Sequence, residues 1–143
     1  MIHETGAVLP DPGKSDCVGA IHPKAAEGLI LFNNKQYWKA HEALEAAWRA
    51  EAGEIRHLYR GILQVGVAYF HIQRQNYRGA MKLYSRSHRW LDPFPDICRG
   101  IHVGQVKEDL ENAIAQLRLL GPDRIQEFDS RLLKPVIFVL EED

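Results

Sequence analysis

His41 and Glu45 are the first pair in this sequence whose types and spacing could do chemistry together. They stand in the stretch YWKAHEALEAAW, residues 37–48, where a core helix would carry Leu or Ala. At 100° per residue, Tyr37, His41, Leu44, Glu45, Trp48 and Ala52 fall in one stripe, with Lys39, Ala43, Ala46, Ala47 and Ala50 on the other side. Both polar groups are therefore expected to point inward. Imidazole nitrogen and carboxylate oxygen at i and i+4 project from one helix face and can share a borderline metal ion. The string HEALE is not a zinc-protease signature, because Glu45 stands where the second histidine is required.

A second polar line runs through the most apolar part of the chain. Arg60, Gln64 and His71 follow at i, i+4 and i+11, with His57 at the start of the line and Val67 and Ala68 within it. An unpaired buried carboxylate costs several kcal/mol, so Glu45 needs a partner, and facing strips on two antiparallel helices would supply one. The expectation is one internal cluster of His41, Glu45, Arg60, Gln64 and His71. Within it, His41, Glu45 and His71 would hold a divalent metal ion of unassigned identity, and Trp48, Arg60 and Gln64 would line the site. Helix rise puts His41 level with residues 64–68 and His71 one turn further along, within reach through a metal or a water. Arg60 argues against a cation and for an anionic ligand. No catalytic residue is assigned: there is no nucleophile elbow or Gly-rich loop, and a di-iron bundle needs two ExxH units where only Glu54 to His57 fits. The alternative is that the cluster is a satisfied network that fixes how two helices pack.

The elements that would position these residues are helical. Pro23 suits a first turn, giving a helix over 23–32 that ends at Asn33-Asn34. Further helices are expected over 36–52, 54–73, 77–91 and 105–120, with DPFPD forcing a loop and Gly121-Pro122 a stop. A short helix near 123–131 precedes PVIFVL, expected to dock extended on the bundle. Residues 1–22 read as an irregular arm, 23–131 as one helical domain and 132–143 as a docking tail. The fold class is all-α, a compact array of about five helices in antiparallel pairs. The segments KQYWKAHEAL and QNYRGAMKLY echo one another, with Tyr37 over Tyr77 and Ala40 over Ala80. Such helix pairs resemble tetratricopeptide-like units and raise a second function class, an interaction module.

Composition narrows the partners. The 143 residues hold 18 basic and 19 acidic side chains for a formal charge of -1, which makes a dedicated nucleic-acid binder unexpected. The basic stripe Arg78, Lys82, Arg86 and Arg89 reads as a solvated helix face. No apolar run approaches a membrane span. Gly13-Lys14-Ser15 is not a phosphate-binding loop, because Val8 stands where its first glycine is required. Cys17 and Cys98 form no CxxC pair, and with no signal peptide visible a reduced, cytoplasmic protein is expected. The expected partners are a metal ion or small molecule, with a homodimer allowed.

The stretches FNNKQYWKAHEALEAAWR and RGILQVGVAYFHIQRQNYRGAMKLYSR resemble domain-of-unknown-function family 309, small bacterial and archaeal proteins. The family's hallmark, HxxxExx(W/Y), is matched by His41, Glu45 and Trp48, followed by Gly61, Gln64, His71, Asn76, Gly79 and Ala80. The resemblance covers residues 32–91. It implies a compact all-helical fold and a metal site at the His and Glu, with no established reaction. Trp48 reads as a packing wall, since indole is a poor metal ligand.

Overall fold

Two turns of identical geometry set the layout. In both, the residue two before a tyrosine takes the left-handed conformation: Lys35 (φ 61°) before Tyr37, and Gln75 (φ 57°) before Tyr77. Each turn closes the preceding helix by the same bond, from Gln36 N to the Leu31 carbonyl (3.0 Å) and from Asn76 N to the His71 carbonyl (2.8 Å). This six-to-one closure is the Schellman motif. The sequence echo is thus a repeat of turn chemistry, and it makes two helical hairpins.

The structure, a computed structural model, describes residues 9–141. Its helices are α1 (Pro23–Asn33), α2 (Tyr37–Ala50), α3 (Arg56–Gln73), α4 (Tyr77–Leu91) and α5 (Val103–Leu120). The fold is all-α, with antiparallel helix pairs. Where a short helix was expected near 123–131, two 3-10 turns form instead, Pro122–Glu127 and Ser130–Leu132. None of the described helices is long and apolar enough to cross a membrane. α1 packs on α2, α3 lies against both α2 and α4, and α5 packs on α4. Every residue from Gly61 to Tyr69 is buried. The Phe32, Tyr37 and Tyr69 rings meet edge-on or tilted at 5.2–5.7 Å and knit α1, α2 and α3 together.

α2 sits rotated from the expected stripe. Its buried residues are Tyr37, Ala40, Ala43, Leu44 and Ala47, whereas His41, Glu45 and Trp48 are half-buried on the flank. The alanines face inward because α1 comes very close: a Cβ on Gly28 would lie 2.6 Å from Leu44 Cγ. Small residues carry little weight in a hydrophobic stripe, yet here they are the contact surface.

Beyond α4 the chain makes a hairpin that sequence patterning did not show, β1 (Ile97–Cys98) paired antiparallel with β2 (Ile101–His102). Its two-residue loop has positive φ at both positions, Arg99 (49°) and Gly100 (81°), as a type I′ turn requires. The hairpin gathers both ends of the described chain. Cys17 of the arm forms a disulfide with Cys98, which corrects the expectation of two reduced cysteines; 81 residues of sequence separation conceal a contact that the fold makes. Arg99 holds the arm through the Asp16 and Ala20 carbonyls (2.6 and 2.8 Å). On the other edge the tail runs extended, with bonds from His102 N to the Ile137 carbonyl and from Val139 N to the Gly100 carbonyl, both 2.9 Å. Asn33 clamps it further by donating to the Val136 carbonyl (2.9 Å) and accepting from Val136 N (2.7 Å).

Gly100 has no room for a side chain: a Cβ would collide with the Val139 carbonyl oxygen at a positive φ that already disfavours one. Gly100→Ala is expected to cost on the order of 1–3 kcal/mol. Hydrogen exchange at the His102 and Val139 amides should accelerate, because the tail must lift off. Unchanged protection at both amides would refute the docking argument.

Candidate functional site

Two contacts fix how α2 lies on α3. The Trp38 and Phe70 rings are 5.2 Å apart, and the Arg60 guanidinium lies 4.6 Å from the Trp48 ring. In an antiparallel pair this register sets His41 level with Val67, and Glu45 level with Leu63 and Gln64. Leu63, Gln64 and Val67 keep 8%, 7% and 8% of their surface, whereas Ile62, Val65 and Ala68 keep none. One narrow line of α3 therefore looks out between α2 and α4. Half-buried His57 and Arg60 continue it at one end, and half-buried Phe70 and His71 at the other.

Arg60 is held between two indoles, 4.6 Å from Trp48 of α2 and 4.0 Å from Trp90 of α4. His57 in turn stacks on Trp90 at 5.1 Å with 14° between planes. Such cation–π contacts are worth about 0.5–2 kcal/mol each and rise with desolvation. They hold the guanidinium beside both rings. This ladder braces three helices at once.

Glu45 does not sit in a closed core. Its carboxylate pairs with Arg49 on the same helix (3.0 Å) and its side chain is 34% exposed, so the pair contributes little. His41 stacks on Trp38 at 4.6 Å. His71 packs at the start of α4, its Nδ1 3.2 Å from Asn76 Nδ2. Asn76 Oδ1 accepts from Gly79 N (2.9 Å) to cap α4, so its amide NH2 faces the imidazole and His71 Nδ1 must accept.

The expected cluster is therefore split. Trp38 and Phe70 stand between the two histidines in a chain of ring contacts: His41 on Trp38, Trp38 on Phe70, Phe70 beside His71 at 5.9 Å. Among the described residues no three His, Cys, Asp or Glu side chains form a group that could hold a metal ion, and the trio His41, Glu45 and His71 is no exception. Trp48 and Arg60 do meet between α2 and α3, and Gln64 lies one turn along α3 from Arg60. Four buried side-chain atoms near this line have no hydrogen-bond partner among the described residues: His41 Nδ1, His57 Nδ1, Gln64 Oε1 and Trp90 Nε1. Sequence reading missed Trp38, although it lies three residues before His41 on the same helix. It also missed Trp90, which no spacing connects to Arg60.

The family model described as Domain of unknown function (DUF309) matches residues 25–83, which run from α1 to the middle of α4. The chain is 24% identical over 101 residues to an uncharacterized protein of Aquifex aeolicus, covering 70% of this chain and 30% of that one. It is 36% identical over 74 residues to the uncharacterized protein YpuF of Bacillus subtilis, covering 50% and 42%. A tRNA dimethylallyltransferase 2 of Porphyromonas gingivalis is 34% identical over 88 residues, covering 62% and 27%. The matches span less than half the length of each of these relatives.

Two histidines at the ends of the line resist protonation. Burial, followed by the charge of Arg56, holds His57 below the ordinary histidine range, and the nearby Glu54 carboxylate (3.1 Å) does not reverse this. Burial likewise lowers His71, consistent with a neutral Nδ1 accepting from Asn76. Because the unfolded chain takes up protons that the folded one refuses, stability is complete above the unfolded value near 6.5 and falls as pH drops below it. Urea unfolding from about pH 7.5 down to about pH 5 should show this decline, flattened in the double variant His57→Gln/His71→Gln. A wild-type curve level across that range would contradict the assignment.

Proposed function

Because residues 25–83 belong to the domain-of-unknown-function family DUF309, we propose that this segment is a ligand-binding module. Its site is the line of α3 between α2 and α4, and its ligand is a small hydroxylated anion. One observation carries the reading: His41 Nδ1 and Gln64 Oε1 are buried without a partner among the described residues, beside the narrow opening. Leaving such an atom unpaired costs about 1–3 kcal/mol, a penalty that a bound partner would remove. Gln64 Oε1 calls for a hydroxyl or N–H donor on the ligand. Arg60, held beside Trp48 and Trp90, carries the planar fork that suits a carboxylate or phosphate. His41 lies one turn further along the same line.

A divalent ion bound by His41 and Glu45 is the metal form of this reading, supported by their i, i+4 spacing and the unpartnered imidazole nitrogen. Water or the ligand's own oxygens would complete the shell, and Arg49 would have to release Glu45. His71 has no part in it, because Asn76 already engages its Nδ1. The competing reading, a purely structural cluster in an interaction module, is favoured by the brace that Arg60 makes across three helices.

Gln64→Leu separates the two. It replaces an unpaired buried amide with a side chain of similar size, so the binding reading expects stability unchanged or raised by about 1 kcal/mol. The structural reading expects a loss. Inorganic phosphate, citrate and Zn2+, titrated separately, should include at least one that shifts the His41 ring and Gln64 side-chain amide resonances in the wild type. Gln64→Leu and Arg60→Lys should weaken that binding about tenfold, as expected for loss of a ligand hydrogen bond or of the stacked fork. Silence from all three probes, together with destabilisation by Gln64→Leu, would establish the structural role instead.

A further inference from the structure

The near-neutral total conceals a strong separation of charge. Residues 56–91, from the start of α3 to the end of α4, contain no Asp or Glu at all. They carry Arg56, Arg60, Arg74, Arg78, Lys82, Arg86 and Arg89, a formal charge of +7. With 18 basic and 19 acidic residues in the whole chain, the remainder holds 11 and 19, a formal charge of -8. One hairpin is thus strongly basic and the rest strongly acidic, the kind of asymmetry that a whole-chain sum hides.

The basic residues are also arranged. Arg78, Lys82 and Arg86 are exposed at i, i+4 and i+8 of α4, about 6 Å apart along one rigid face. None of the three pairs with a described carboxylate. The acidic groups nearest α4 are engaged on its other side: Glu111 by the Tyr84 hydroxyl (2.8 and 3.0 Å) and His88, and Asp92 by His88 and Lys107. At the start of the face, exposed Arg74 lies over Phe70 (5.7 Å), and Phe70 touches Trp38, whose side chain is 48% exposed. A run of cations therefore ends beside a half-open indole.

We infer that this face binds the phosphodiester backbone of a looped or single-stranded nucleic acid, with Arg78, Lys82 and Arg86 on successive phosphates and an unpaired base stacked on Trp38. The chemistry favours this occupant over other anions. Two of the three cations proposed to meet phosphates, Arg78 and Arg86, are Arg, whose planar fork matches phosphate oxygens in pairs. A membrane surface would call for apolar side chains beside the cations, and none of the exposed large apolar side chains described lies on α4. A folded protein partner would call for an apolar or aromatic centre within the patch, which α4 does not present. A row of cations leading to an exposed aromatic is the arrangement that holds unpaired strands. The cations of this face lie on α4 and the end of α3, outside the polar line, which they meet only at Phe70 and Trp38, and the inference does not rest on the ligand reading.

The test is fluorescence anisotropy with a labelled RNA stem-loop, a single-stranded DNA of the loop sequence and a blunt DNA duplex, each titrated with the intact chain. Saturable binding of the stem-loop is expected, weakening on the order of tenfold between about 50 mM and about 200 mM salt. RNA bound more tightly than single-stranded DNA would identify the sugar as a determinant; equal binding would assign recognition to phosphate and base alone. The variant Arg78→Gln/Lys82→Gln/Arg86→Gln should lose about tenfold in affinity and lower the salt slope by about 2. Lys24→Gln/Arg124→Gln/Arg131→Gln, which removes as many cations elsewhere, should retain wild-type binding. Trp38→Ala should narrow the preference for the stem-loop over the duplex. Circular dichroism checks that each variant folds. The inference fails if neither RNA nor single-stranded DNA binds saturably or if the two triple variants lose affinity equally. It also fails if phosphatidylserine vesicles or polyglutamate bind as tightly as the RNA.

Discussion

A helix buried without a break from Gly61 to Tyr69 has very little surface on which polar side chains can meet water, and α3 uses what it has for Arg60, Gln64 and His71. That constraint organises the molecule. α2 and α4 must flank α3 closely enough to cover its apolar sides, yet stay far enough apart to leave the polar line accessible. The two Schellman turns deliver helices of the right length to do this, and the alanines of α2 let α1 close the layer behind it. Arg60 then serves as a spacer. Its flat cation fits between Trp48 and Trp90, where a neutral chain of equal length would lose the cation–π attraction to both rings.

Much of this architecture was legible, and the reasons differ by element. α4 begins and ends where its sequence says, because Asn76 caps it and Pro93 stops the chain two residues after Leu91. α3 was visible from sheer apolarity. The orientation of α2 was not, because helical periodicity weights large residues and gives Ala43 and Ala47 no pull, although both are core. The hairpin at Ile97 to His102 was too short to show alternation, and only Gly100 of its loop carries a turn preference. The disulfide joins segments between which no local pattern runs.

The site divides in the same way. Spacing along single helices brought Trp48 and Arg60 onto strips that do meet, because each strip's partner was also helical. It failed where a neighbour on the same helix offered a nearer solution: Glu45 was expected to find its partner on a facing helix, and Arg49 at i+4 supplies the pair. It failed again for His71. A local turn contact to Asn76 engages the nitrogen that a distant ligand set would have required. In both cases a short-range interaction pre-empts a long-range one, as loop-closure entropy favours when the two are chemically equivalent. The basic stripe of α4 was legible from helical spacing, and the fold adds that Arg78, Lys82 and Arg86 are exposed on it.

The clasp at the β-hairpin has a topological consequence. Gly19 N donates to Glu141 Oε1 at 2.9 Å, so residues separated by 122 positions meet at one point on the surface. A polypeptide that enters and leaves a module through the same doorway can be spliced into a host loop without stretching either partner. On the arm side the junction is closed covalently by the Cys17–Cys98 disulfide, and on the tail side by backbone hydrogen bonds to the hairpin.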